Sequence, residues 1–215
     1  MKISTPAQVA RRLDRSLAWR KKELTQQKLL ADSASAGNAE VLRRSGITLL
    51  YAHWEGFIKD ASNTYLLYIG NQPIELTLLR PCFVAIALGS EIRVAGQAKK
   101  TSIHSKLVEL FRTIDSPPPL RRRVPWKNVI ATHSNLKSTV LREITATLGL
   151  DYAPFELKEK AVIDRLVKFR NSVAHGVGQP ILQADYDTLH VETIGLLDQF
   201  RDLVEDAAFN NSHLR

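Results

Sequence analysis

From Ala39 to Ile69 the residues Ile47, Leu50, Tyr51, Trp54, Phe57, Ile58, Ala61, Tyr65 and Leu66 recur at every third or fourth position, and no proline interrupts them. That spacing predicts one amphipathic helix about 45 Å long, closed by Gly70, Asn71 and Pro73. A stripe of this length is buried only against other long helices, so an all-α bundle is expected and the remaining sequence is read for partners.

The partners are present. A basic amphipathic helix runs from Thr5 or Pro6 to about Ala31 with Val9, Leu13, Leu17, Leu24 and Leu29 near one face, and Asp32 to Asn38 breaks it from the long helix. Further helices are expected over Glu75–Leu88, Thr101–Ile114, from a Ser134 cap to near Gly149, over Phe155–Ala174, and from an Asp185 cap to about Phe209. The run from Cys82 to Leu88 is apolar enough to suit a strand, and helix is preferred there. The prolines at 117, 118, 119 and 125 preclude a regular helix, so 115–128 reads as a basic, proline-rich loop. With 215 residues and no repeat or glycine-serine linker, the whole of 1–215 is read as one helical domain of about six helices.

Composition sets the setting. No apolar stretch of signal-peptide or membrane-span length occurs, and the single Cys82 has no partner for a disulfide, so a cytoplasmic protein with no membrane association is expected. The net charge of +8 is polarised along the chain. Met1–Leu30 holds eight Lys/Arg against two acids and Arg112–Arg142 seven against one, whereas Leu182–Phe209 holds seven acids against one Arg. Such asymmetry suits a polyanion on the basic side, and a solvated surface with no partner accounts for the counts equally well.

Most enzyme classes lack their signatures. There is no Walker or Rossmann glycine loop and no Gly-x-Ser-x-Gly, and Ser172 near His175 is a helix neighbour rather than an oriented nucleophile. His53, His104, His133, His190 and His213 have no metal-ligand spacing, so neither zinc nor any cofactor is expected.

Chemistry concentrates in AVIDRLVKFRNSVAHGVGQP, residues 161–180. Its apolar stripe passes through Ile163, Leu166, Val167 and Ala174, and Arg170 falls within it, four residues after Leu166. A guanidinium on an apolar face costs several kcal/mol in order of magnitude unless it meets an acid, a subunit interface or an anion. A salt bridge to Glu55 or Asp60 is one reading and an anion site the other. His175 follows five residues later, about 140° away on a regular helix, but Gly176, Gly178 and Pro180 end the helix there and free its direction. A histidine at a helix C-terminus is also ordinary on dipole grounds.

Arg170, Asn171 and His175, followed by Gly176, resemble the Arg-x(4-6)-His motif of HEPN ribonucleases, in which Asn often follows the Arg. The long helix, with Trp54-Glu55 in LLYAHWEGFIKDASNTYLLYI, is similar to that of the MAE-like branch of the superfamily. The resemblance spans about residues 5–209, more loosely in the middle. It implies a homodimer with two Arg/His pairs facing one composite cleft, and metal-independent cutting of single-stranded RNA by its own 2′-hydroxyl. His175 would then move protons, Arg170 would neutralise phosphate and Asn171 would orient one of them. Kinship also implies a toxin-antitoxin or antiphage defence setting, with an antitoxin or other regulatory protein as a partner. Toxins governed by a nucleotidyltransferase carry Tyr two residues beyond the His, where this chain has Val177, so that mode of control is not carried over. A non-catalytic RNA-binding or adaptor module on the same fold is the competing reading. Glu55 stands open as an active-site helper, a partner of Arg170, or a surface residue paired with Lys59. Arg121, Arg122, Arg123, Trp126 and Lys127 combine cations with an aromatic as single-strand RNA binders do, and a solvated loop with Trp126 tucked against the bundle is the alternative.

Overall fold

A capping box starts the first helix: the Thr5 side chain takes the Gln8 amide at 3.3 Å, and the Gln8 side chain takes the Thr5 amide at 3.2 Å. The computed structural model describes residues 3–114 and 116–215. Among these the helices are α1 (Pro6–Ser33), α2 (Ala36–Gly70), α3 (Pro81–Ala87), α4 (Gly89–Gln97), α5 (Thr101–Ile114), α6 (Ser138–Thr147), α7 (Ala153–Glu156), α8 (Arg165–Ala174) and α9 (Gln183–Phe209), with a 3₁₀ turn at Leu76–Leu78 and a π-helical turn at Glu159–Asp164. The described residues are thus all-α with nine α-helices, more than the six or so the sequence suggested.

Only Ala34 and Ser35 separate α1 from α2, so the two fold back as an antiparallel hairpin. Arg12 meets Asp60 near one end, and Gln27 meets the Leu42 carbonyl near the other. α9 lies along both, antiparallel to α1, and α8 packs on α2. The shared interior contains Trp54, Phe57, Tyr65, Phe155, Tyr186 and Phe200, all fully buried. Apart from Ala95, the buried apolar side chains from Ile3 to Ala208 form one contiguous cluster. At Gly46 the α2 backbone comes so close to α9 that a Cβ would lie 2.4 Å from the Tyr186 hydroxyl. Leu29 and Ala174, placed on apolar stripes by spacing, are exposed.

Several boundaries differ from expectation. Pro81 has no amide to donate, and it splits Glu75–Leu88 into a 3₁₀ turn and α3, with α4 following as a separate helix. Phe155–Ala174 is interrupted by the π turn. Ser134 caps nothing: it has φ +52°, and α6 begins at Ser138, whose amide and hydroxyl bond to the Asp164 carboxylate at 2.9 and 3.1 Å. α9 begins at Gln183, which places Asp185 in the first turn rather than at the cap. The proline-rich stretch is irregular from Ser116 to Lys137, longer than expected, and Asp115 lies outside the described residues. Its backbone crosses the end of α2 at Gly70, where a Cβ would lie 2.4 Å from the Val124 carbonyl oxygen.

Charge asymmetry along the sequence is partly consumed inside the fold. Lys21 pairs with Asp198 at 2.5 Å and Lys28 with Asp187 at 2.8 Å, tying basic α1 to acidic α9. No helix of the described residues is long and apolar enough to cross a membrane.

Candidate active site

Arg170 lies on α8 with Leu166, Val167 and Phe169 buried around it, and it is itself half-buried. Its guanidinium carbon sits 3.9 Å from the centroid of the Tyr51 ring on α2, and Nη2 donates to the Ser134 carbonyl. No ion pair to Glu55 or Asp60 forms: Glu55 bonds to Lys59 at 3.2 Å and Asp60 to Arg12 at 3.0 Å. The reading of Arg170 as a salt bridge to Glu55 or Asp60 is therefore replaced by a cation resting on an aromatic ring, with no ion pair to it among the described residues. Nε is buried and has no partner among the described residues. The guanidinium is a planar, permanently charged fork of the kind that matches phosphate oxygens.

The floor under Arg170 is held from two sides. The Tyr51 hydroxyl accepts the Leu136 amide at 2.8 Å, and Thr132 donates its hydroxyl to Glu55. These bonds anchor residues 132–136, a loop in which His133 and Ser134 take φ of +51° and +52° in succession. Two non-glycine residues in the left-handed region persist only where their surroundings over-determine the backbone. The Glu55 side chain is only 13% exposed, so the surface-residue reading fails although its bond to Lys59 is present. Burial would raise its carboxyl, but hydrogen bonds from Thr132, Tyr51 and Lys59 prevail and hold it below the usual carboxylate range. Glu55 thus acts on the loop, and through Tyr51 on Arg170. Burial pushes the Tyr51 phenol up, keeping it neutral.

His175 is exposed at the C-cap of α8, with φ −92° and ψ 10°. Its amide still reaches the Asn171 carbonyl at 3.0 Å, so the backbone stays nearly helical to this point and positions 170 and 175 lie about 140° apart around the α8 axis. Gly176, at φ +68°, donates to the Val173 carbonyl, and Val177 donates to that of Ser172, a Schellman ending that stops the helix at His175. Arg44 fixes the chain beyond it through the carbonyls of Val177 (2.9 Å) and Gln179 (2.7 Å). Asn171 is half-buried between the two motif ends, and no side-chain hydrogen bond joins Arg170, Asn171 and His175 among the described residues.

A family model described as HEPN_MAE_28990-like HEPN matches residues 9–212. The chain belongs to this HEPN family. No curated protein and no solved structure matches it. The matched span takes in both elements that build the Arg170 surroundings, the HEPN long helix α2 and the motif helix α8.

Arg121, Arg122, Arg123, Trp126 and Lys127 stand apart from Arg170, beside the C-terminal end of α2. Arg121 pairs with Glu75 at 2.8 Å and Arg122 with Glu91, so part of this basic loop of the HEPN chain is neutralised. Arg123 and Lys127 have no ion pair among the described residues. Trp126 is half-buried and packs against the core on one side, as the tucked reading expected. Sequence reasoning missed Tyr51 and Thr132. The Tyr51–Glu55 spacing of four residues on one helix was the available signal, but Tyr51 also fits the core stripe.

Proposed function

We propose that this HEPN protein is an endoribonuclease that cuts single-stranded RNA without a metal, through attack of the substrate's own 2′-hydroxyl. The observation that carries the reading is the half-buried Arg170 guanidinium, 3.9 Å from the Tyr51 ring centroid and in ion-pair contact with no acid among the described residues. An enzyme gains most from donors already aimed at developing charge, and the non-bridging phosphate oxygens are where charge develops when a 2′-oxygen attacks phosphorus. His175, exposed to solvent, takes the 2′-hydroxyl proton and returns one to the 5′-oxygen that leaves. The products are a 2′,3′-cyclic phosphate and a 5′-hydroxyl. Asn171 lies between these groups in sequence and orients phosphate or imidazole.

The divergence of Arg170 and His175 on α8 supports a homodimer in which one protomer's His175 works with the partner's Arg170. A defence or toxin-antitoxin setting, with an antitoxin or regulatory protein as partner, is proposed from family membership alone. The competing reading is a non-catalytic RNA-binding or adaptor module, in which Arg170 holds phosphate and His175 has no proton to move.

The deciding experiment is incubation of a long single-stranded RNA, and of the matching DNA, with wild type and His175→Ala in EDTA. Cutting of RNA alone, persistent in chelator and absent in the variant, is expected. RNA that is bound but left intact by both proteins would transfer the reading to the adaptor.

A further inference from the structure

A groove runs along α2 on the side turned away from Tyr51 and Glu55. Three adjoining depressions make it up. The first is lined by Arg12, Arg15, Trp19, Arg20 and Asp60. The second shares Arg12 and Asp60 with it and continues over Asn63, Thr64 and Leu67 to Trp126. The third shares Leu67 and Trp126 and ends at Asn71, Arg123 and Lys127. By helical rise, the stretch of α2 from Gly56, beneath Arg20, to Gly70 spans about 20 Å.

Its chemistry is uneven in one direction. Against one carboxylate, Asp60, stand Arg12, Arg15, Arg20, Arg123 and Lys127. Only Arg12 is paired with that acid, at 3.0 Å, while Arg15, Arg123 and Lys127 have no ion pair among the described residues. Two indoles punctuate the cations. Trp19 is 52% exposed, an unusual state for so large an apolar side chain, and the half-buried Trp126 lines two of the three depressions with Lys127 5.3 Å from its ring centroid. Arg20 lies 4.5 Å from the Trp19 ring, is 8% exposed, and keeps an Nε with no partner among the described residues.

We infer that this groove is a second RNA-binding site, separate from the Arg170 surroundings, that holds a single strand with phosphates on Arg12, Arg15, Arg123 and Lys127 and bases stacked on Trp19 and Trp126. Cations alone suit any polyanion; exposed indoles between them suit one whose bases are unpaired and free to stack. The length accommodates on the order of five nucleotides. The choice of RNA as the strand rests on the ribonuclease reading. Because the groove and Tyr51 lie on opposite sides of α2, the site grips substrate away from the point of cutting.

The test is fluorescence anisotropy of a labelled 12-nucleotide RNA on the His175→Ala protein, which holds substrate uncut, alone and combined with Trp19→Ala, Trp19→Phe or Arg15→Glu. Trp19→Ala is expected to weaken binding roughly tenfold, and Trp19→Phe much less. Arg15→Glu should lower the slope of log K against log salt by about one or more. Quenching of tryptophan emission on binding reports the stacking directly, because Trp54 is fully buried and contributes none. Unchanged affinity in both Trp19→Ala and Arg15→Glu would overturn the groove, as would binding of duplex RNA as tight as single strand. Groove-dependent binding by a wild type that cuts no RNA would leave the groove standing and remove the ribonuclease reading instead.

Discussion

The guanidinium carbon of Arg170 lies 3.9 Å from the centroid of the Tyr51 ring, so a residue of α2 sets the position of a charge carried by α8. A desolvated cation–π contact is worth about 1–2 kcal/mol, which corresponds to roughly a five- to thirtyfold change in rate if it is lost at the transition state. Tyr51→Leu should reduce RNA cleavage by that factor in single-turnover assays. Tyr51→Phe keeps the ring but loses the hydroxyl's bonds with the Leu136 amide and Glu55, and should cost a few-fold.

If each cutting site combines His175 of one protomer with Arg170 of the other, Arg170→Ala and His175→Ala homodimers should both be inactive. Mixed dimers from differently tagged co-expressed chains should recover part of the activity, because one of their two sites is intact. Full activity of wild type at concentrations where sedimentation shows only monomer would refute the composite site.

Glu55 holds the 132–136 loop by accepting from Thr132, so Glu55→Gln should lower cleavage without changing the shape of its pH profile. Loss of an acidic limb from the profile would instead make Glu55 a proton carrier. Thr132→Val, which removes the same bond from the other end, should show the same unaltered shape.

Gly46→Ala drives a Cβ into the Tyr186 ring and hydroxyl, an overpacking expected to cost about 1–3 kcal/mol and several degrees of Tm. Tyr186→Phe alone should cost little, since its buried hydroxyl has no partner among the described residues. Thermal denaturation followed by circular dichroism distinguishes the two.

Stability should also fall with acid. Burial holds His213 down to about 4, whereas an unfolded histidine titrates near 6.5, so the unfolded chain binds more protons in the interval between. The contribution is complete above pH 6.5 and is lost as pH falls to about 4, to a total of roughly 3 kcal/mol. Burial lowers His53 and His190 as well, which adds to the same slope. Denaturant midpoints measured between pH 7 and 4 should decline steeply for wild type and less steeply for His213→Leu.

How far the fold could be read from the chain depended on how local the cause was. The start of α1 follows from Thr5, Pro6 and Gln8, three neighbours, and α5 falls on Thr101–Ile114 as its periodicity suggests. The start of α6 was not legible, because the carboxylate that serves it, Asp164, comes 26 residues later. The π turn was hidden for a related reason: one extra residue in a turn leaves the apolar spacing almost unchanged. At the site, Arg170 and His175 were visible as residue types. Their surroundings were not, since Tyr51 has the same spacing whether it fills the core or carries a cation, and the Ser134 carbonyl leaves no mark in a sequence.

The hairpin of α1 and α2 closes across two residues, whereas the bond from Lys21 to Asp198 of α9 joins positions 177 apart. Contacts so unequal in separation form in sequence, the near ones first. A nascent chain therefore carries a two-helix strip whose apolar seat for Tyr186 and Phe200 stays open to water until α9 has been synthesised, and in that interval it is most exposed to aggregation and to chaperones. Tyr51 is already in place on that strip before Arg170 has been made.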